Sequence, residues 1–437
     1  MAITDLSFVF LILPLLTVAG IFLKGRVRDA LLCAFSLLFI FSCDKEAFKV
    51  LIVPFVDLIC IFFLRRLTLS ESRLKMCLNA LIIKSIAVLL IMEFLTVPKT
   101  PIGASLLFFD IMAMNFFRIS GRSLNEPDFV LYVLFFPKLF AGPYLSPKAY
   151  LKSKGTEFSL SICAEGIVLF IWGCGKEVIL IKQLDGIISN VFYHYNSNES
   201  ILFAWILALL CALKVYLYLS AFGDMGRGIG KIFMLSMPKG AFYPFFSPTI
   251  REFIKRMGLS LWDNIGAAAS FWGKGLKKKT RNYIGSFVSI LYINMLLRPQ
   301  GASWGFALYF GICLLIDYFI ISKLNEKSDL LTCGVVLILT LPAFVFILPM
   351  GIKETPEFFR NLLFIGKAPL FASTTLYFST ANIASVVLST VIAMGLVYAG
   401  GSFLKKVASD FFKIAVTIMI AGVMVLIASF SLLEGGI

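Results

Sequence analysis

Histidine is almost missing from this chain, with one copy, His194, in 437 residues. Imidazole is the side chain that ordinarily titrates near neutrality and a common nitrogen ligand of zinc. A single copy excludes a histidine-based metal centre, and the sequence offers no other metal site. His194 lies in "VFYHYNSNES", flanked by aromatics at the end of an apolar run. It reads as an interfacial residue rather than a catalyst. Charge is also scarce, at 15% of residues against 59% hydrophobic. A soluble protein of this length lacks the interior volume to hide so much apolar surface. No CxxC pair occurs, and most of the nine cysteines, such as Cys60, Cys211 and Cys313, fall in apolar runs. They read as small core residues, not disulfide partners or metal ligands. Long linkers, low-complexity tracts, internal repeats and a soluble domain are lacking too. Residues 1–437 therefore read as a single membrane domain.

What the chain does have is long hydrophobic segments. Residues 7–23, 78–97, 201–219, 329–350 and 410–432 each approach the roughly 20 apolar residues that cross a bilayer. Window reading gives roughly ten to thirteen transmembrane or re-entrant segments. Because they are continuous rather than alternating, the expected fold is an all-α polytopic membrane protein and not a barrel. Residues 7–23 are not expected to be a signal peptide, since basic residues follow the run and no small-residue cleavage site does.

The net charge of +15 points to membrane lipid and not to nucleic acid. Basic residues cluster at segment ends, in Lys24-Arg26-Arg28, Arg65-Arg66 with Arg73 and Lys75, Lys274 to Arg281, and Lys405-Lys406. That is the positive-inside pattern, with no basic face carrying interleaved aromatics. It predicts an N-terminus outside, residues 24–28 and 65–76 inside, and 43–46 and 96–102 outside. Residues 1–145 read as regular spans, 146–322 as a core of broken and amphipathic helices, and 323–437 as further spans. No residue pattern specifies an oligomeric state.

Within the core, "YLSAFGDMGRGIGKIF" sets Gly223, Gly226, Gly228 and Gly230 beside Asp224, Arg227 and Lys231. A phosphate-cradling loop would need a preceding strand and a Lys-Ser/Thr ending, so the stretch reads as a close-packed bend at the membrane surface. Next, "FYPFFSPTIREFIKRMGLSLWDN" breaks at Pro244 and Pro248 and then repeats charge at helical spacing. Glu252 precedes Arg256 by four residues, so the two should face each other on one turn. Two readings stand here: a re-entrant helix walling a cavity, or an interfacial helix with snorkelling Arg251, Lys255 and Arg256.

"PIGASLLFFD" (101–110), "FVLYVLFFPKLFAGPYLSPKAYL" (129–151), "LKVYLYLSAFGDMGRGIGKIF" (213–233) and "FYPFFSPTIREFIKRMGLSLW" (242–262) resemble, in this order, the membrane-bound O-acyltransferases. The bacterial alginate O-acetyltransferase branch is the most similar, with the D-alanyl-teichoic acid type as a cousin. The resemblance covers roughly residues 7–320 and implies helices ringed around a tunnel in a bacterial inner membrane. An acyl-CoA would enter as co-substrate, with no bound cofactor. The acceptor would be an exported glycan, reached with the help of an extracytoplasmic acyl-accepting protein. The resemblance also implies that Pro137, Gly142, Pro143, Tyr216, Ser220, Arg251, Arg256, Ser260, Ser303 and Trp304 line the tunnel or the donor mouth.

The reaction centre departs from that family. Its Trp-His-Gly-Ala-Ser-Trp motif appears here as "PQGASW", with Pro299 and Gln300 in the tryptophan and histidine places. Its Arg-Arg-Trp-His element appears as "KRMG", with Gly258 in the second histidine place. A glutamine amide forms hydrogen bonds but takes no proton, whereas a positioned base is worth roughly 10²–10⁴ in rate. Asp224, Glu252, Asp110 and Asp317, ionisable groups in or near apolar runs, are the candidates to take the proton instead. Each also reads as a helix-end charge or an ion-pair member. Two expectations follow: an O-acyltransferase with altered catalysis, or a non-catalytic relative serving as scaffold, conduit or regulator.

Overall fold

The computed structural model describes residues 5–362 and residue 369, except 6, 24, 44, 95–100, 122, 155, 196–200, 259, 263, 266–274, 298–303, 322–329 and 349–353. Every regular element among the described residues is helical. Among the described residues, five helical segments are long and apolar enough to cross a membrane: Ala47–Arg66, Glu71–Ile91, Ile102–Ser120, Ala204–Ile232 and Trp304–Ile321. Two shorter apolar helices, Phe8–Phe22 and Thr332–Ile347, accompany them. The chain is an all-α polytopic membrane protein. Phe22, Phe55, Phe63, Leu308 and Leu315 are exposed on these helices, as side chains facing lipid would be, because acyl chains solvate them as well as a protein interior does.

Sequence and structure part company in two runs. The apolar stretch 201–219 continues as one helix, Ile201–Ile232, straight through the glycine-rich segment expected to bend. The run 329–350 is helical over Leu330–Thr340 and then tightens to a 3₁₀ helix over Leu341–Ile347. Pro342 in the first turn of that tighter helix has no N–H to give and blocks continuation of the α-helical ladder. The run 410–432 lies outside the described residues.

The chain divides into two compact units, the first holding residues 1–170, 222–239 and 263–276 and the second residues 171–221, 240–262 and 277–437. In the first, Phe136 meets Phe35 and Phe39 edge-on or tilted, both at 5.0 Å, and its N–H donates to Ser36 Oγ at 3.3 Å. Phe140 stacks on Phe222 at 5.4 Å. In the second, Phe253, Phe306, Phe310 and Phe344 pack together, with Phe306 and Phe310 centred 5.0 Å apart.

The glycines of the Ile201–Ile232 helix let its backbone touch its neighbours. A Cβ at Gly228 would lie 2.6 Å from Gly166 O and 2.6 Å from Phe170 N. At Gly226 it would lie 2.4 Å from Pro143 Cδ and 2.8 Å from Pro137 O. Such close approach replaces hydrophobic drive with dispersion between backbones. Gly228→Ala should therefore lower stability by about 1–3 kcal/mol through overpacking. Gly186→Ala, at an exposed helical position with nothing within 4 Å, should raise it by about 0.5–1 kcal/mol. Thermal unfolding of both variants in detergent checks the pair.

Candidate functional site

The residues singled out from the sequence divide between the two units. In the first, Pro137, Gly142 and Pro143 belong to the segment that follows the Glu126–Leu134 helix. Gly142 has φ +97°, in the left-handed region, and the Gly142–Pro143 peptide is cis. This segment lies directly against Gly226, so two motifs some eighty residues apart in sequence meet at backbone contact. Asp224 pairs with Arg227 at 3.4 Å on the same helix.

Lys138, one residue past Pro137, went unnoticed in the sequence. It is 1% exposed and donates to Tyr132 O. Its ammonium sits 3.6 Å from the Phe109 ring centre and 3.8 Å from that of Tyr132. Lys138 lies outside the five long apolar segments. Burial pushes its ammonium well below the ordinary lysine range, against the pull of the two ring faces. A lysine between "FFP" and "LFAGP" was the available signal.

In the second unit, Thr249 of "SPTIREF" is a helix N-cap. Thr249 Oγ1 accepts from the Glu252 N–H at 3.1 Å, and the Ile250–Met257 helix follows. The next orphan donor, the Arg251 N–H, is held by Asp317 Oδ2 at 3.1 Å. The same oxygen accepts from Tyr283 OH at 2.9 Å. Asp317 is wholly buried and opens a π-helical turn, Asp317–Ile321. The Arg251 guanidinium lies 5.8 Å from the Tyr283 ring centre. As the spacing requires, Arg256 Nε meets Glu252 Oε1, at 3.2 Å, and Arg256 Nη1 also donates to Phe246 O at 2.9 Å.

The remaining residues of this unit sit as follows. Gly258 terminates the Ile250–Met257 helix with φ −131°, and a Cβ there would make ordinary contacts with Ile293 and Leu261, the nearest at 3.4 Å. Tyr216 packs edge-on to Phe245 at 5.6 Å. Ser220 accepts from the buried Lys176 Nζ at 2.7 Å. Ser260 is buried, and Trp304 opens the helix Trp304–Ile316. Gln300 and Ser303 lie outside the described residues, and so does the His194 side chain. Asn294, six residues before Gln300, was also missed. It is wholly buried and neither amide atom has a partner among the described residues, a cost that native structures rarely carry without a reason. Its only sequence signal is an amide inside "SILYINMLL".

All four acidic candidates thus have a structural partner: Asp224 has Arg227, Glu252 has Arg256, Asp317 the helix start, and Asp110 the Ser85 hydroxyl. No family model matches the chain. Over 165 residues it is 28% identical to the Pseudomonas putida protein named "Probable alginate O-acetylase AlgI", a match covering 37% of this chain and 34% of that protein. The Pseudomonas aeruginosa protein of the same name is also 28% identical over 165 residues, covering 31% of its length. The Helicobacter pylori "Peptidoglycan O-acetyltransferase" is 27% identical over 138 residues, 31% of this chain and 26% of that protein. The chain is related to bacterial O-acetyltransferases. The match spans about a third or less of the length of these curated relatives.

Asp317 is the anchoring carboxylate of the second unit, which gives a test. Asp317→Ala should cost about 1–3 kcal/mol, because it leaves the Tyr283 hydroxyl and the Arg251 N–H unpaired. Asp317→Asn keeps an acceptor oxygen and should retain most of that stability. Thermal unfolding of the two variants side by side reads the difference.

Proposed function

We propose that this chain is a membrane-bound O-acyltransferase-type protein of the bacterial inner membrane, its N-terminus outside, taking part in O-acetylation of an exported cell-envelope glycan. The observation that carries the reading is the similarity to relatives named for O-acetylation of alginate and of peptidoglycan. The packing of the "FFPKLFAGP" segment against Gly226 supports it, because both belong to stretches that resemble the family. The donor is an acyl-CoA thioester and the acceptor a hydroxyl, presented with an extracytoplasmic protein or glycan partner. The acceptor oxygen attacks the thioester carbonyl carbon, the C–S bond breaks, and coenzyme A leaves as the thiol, taking up the proton lost by the hydroxyl. Gln300 holds the hydroxyl or the carbonyl by hydrogen bonding, which contributes positioning and electrostatic help without basicity. Lys138, Asp224, Glu252, Asp317 and the thiolate leaving group remain as proton acceptors.

The changes at both histidine places, Gln300 and Gly258, favour a second reading, a non-catalytic scaffold, conduit or regulator of envelope assembly. One experiment separates the two: coenzyme A release from labelled acetyl-CoA by the purified chain and by Gln300→His. The first reading expects release by the unaltered chain, raised roughly 10²-fold in the variant. Silence of both, in the presence of envelope glycan acceptors, supports the second.

A further inference from the structure

The first unit carries a group of ionisable side chains that acyl transfer does not use. Asp57 lies on the Ile52–Arg66 helix, Lys84 and Ser85 on Glu71–Phe94, and Asp110 on Pro101–Ser120. All four fall within three of the long apolar segments. Asp57, Ser85 and Asp110 are 0% exposed. Lys84 Nζ donates to Asp57 Oδ1 at 2.5 Å. The Ser85 hydroxyl oxygen lies 3.1 Å from Asp57 Oδ2 and 3.0 Å from Asp110 Oδ2. Asp110 Oδ1, wholly buried, has no partner among the described residues.

Counting protons decides what this arrangement holds. A serine hydroxyl has one hydrogen to donate, and an ionised carboxylate only accepts. Ser85 can therefore donate to one of its two carboxyl neighbours, while the contact to the other needs a hydrogen on the carboxyl side. Counting charge leads to the same place. Lys84 compensates one carboxylate, and a second ionised carboxylate among these apolar helices would stand uncompensated, at a steep desolvation cost. The charged groups acting on Asp110 from the helices packed around it are Asp57 and Lys84. Asp57 already receives the ammonium, so Asp110 is the group left to be neutral.

We propose that Asp57, Lys84, Ser85 and Asp110 form a proton-binding site within the membrane, with Asp110 carrying the proton. Asp110 Oδ2–H donates to Ser85 Oγ, the Ser85 hydroxyl donates to Asp57 Oδ2, and the Lys84 ammonium donates to Asp57 Oδ1. The site is then electrically neutral, and every hydrogen along the chain is used once. Loss of the Asp110 proton leaves two carboxylates facing one ammonium, so the site binds and releases a single proton. Its chemistry does not depend on whether the chain transfers acyl groups.

The test is infrared difference spectroscopy of the full chain in lipid bilayers, exchanging H₂O for D₂O at neutral pH. A protonated-carboxyl C=O band that shifts on exchange is expected. It should vanish in Asp110→Asn and persist in Glu252→Gln. Absence of such a band in the unaltered chain, or its persistence in Asp110→Asn, overturns the proposal, and so does its loss in Asp57→Asn with persistence in Asp110→Asn. The unaltered chain also supplies a reading that needs no variant to fold. Raising the pH should remove the band in a one-proton step, and a band that stays unchanged to strongly alkaline pH overturns exchange of the proton at this site.

Discussion

A polar group in a bilayer has to find its partner inside the protein, because hydrocarbon offers none. Much of the architecture described above answers that demand. The guanidinium of Arg118 is met by the amide oxygens of Asn79 and Asn115 at 2.9 and 2.7 Å. The buried Lys138 ammonium has a carbonyl and two aromatic rings beside it. The short Ile250–Met257 helix has its first donors taken by Thr249 and Asp317. Each ionisable residue that looks chemically suspicious in the sequence turns out to have a neighbour that explains its presence.

Close backbone contact is the second means of holding such a protein together. Water does not drive apolar helices against one another in lipid, so cohesion comes from surface fit. Gly166, Gly226 and Gly228 provide it by removing side chains where helices and the cis-proline segment meet. The glycine-rich stretch that read as a bend is thus a rigid contact face, because its glycines make room for neighbouring backbone within an unbroken helix.

Helix type was legible in the sequence, as were the apolar runs 78–97 and 201–219, because long apolar runs have few alternatives in physical terms. The Glu252–Arg256 pair was legible because it depends only on local spacing. Asp57, Asn294 and Lys138 were not, since nothing in their neighbourhood marks them apart from being polar in apolar surroundings. The partners of Asp57, Lys84 and Ser85, come from another helix, and single-sequence periodicity carries no such pairing. The role of Asp317 was hidden for the same reason: it serves a helix that starts 67 residues earlier, at Ile250. The reading of Gln300 rests on sequence alone.

The 32-residue helix Ile201–Ile232 carries a further consequence. At about 1.5 Å per residue it is about 48 Å long, against roughly 30 Å of hydrocarbon in a typical bilayer. It must lean steeply, deform the lipid around it, or push a turn or more into the headgroups. Asp224, Arg227 and Lys231 crowd its C-terminal end, the part best suited to leave the hydrocarbon. Bilayer thickness would therefore act as a mechanical load on this rod.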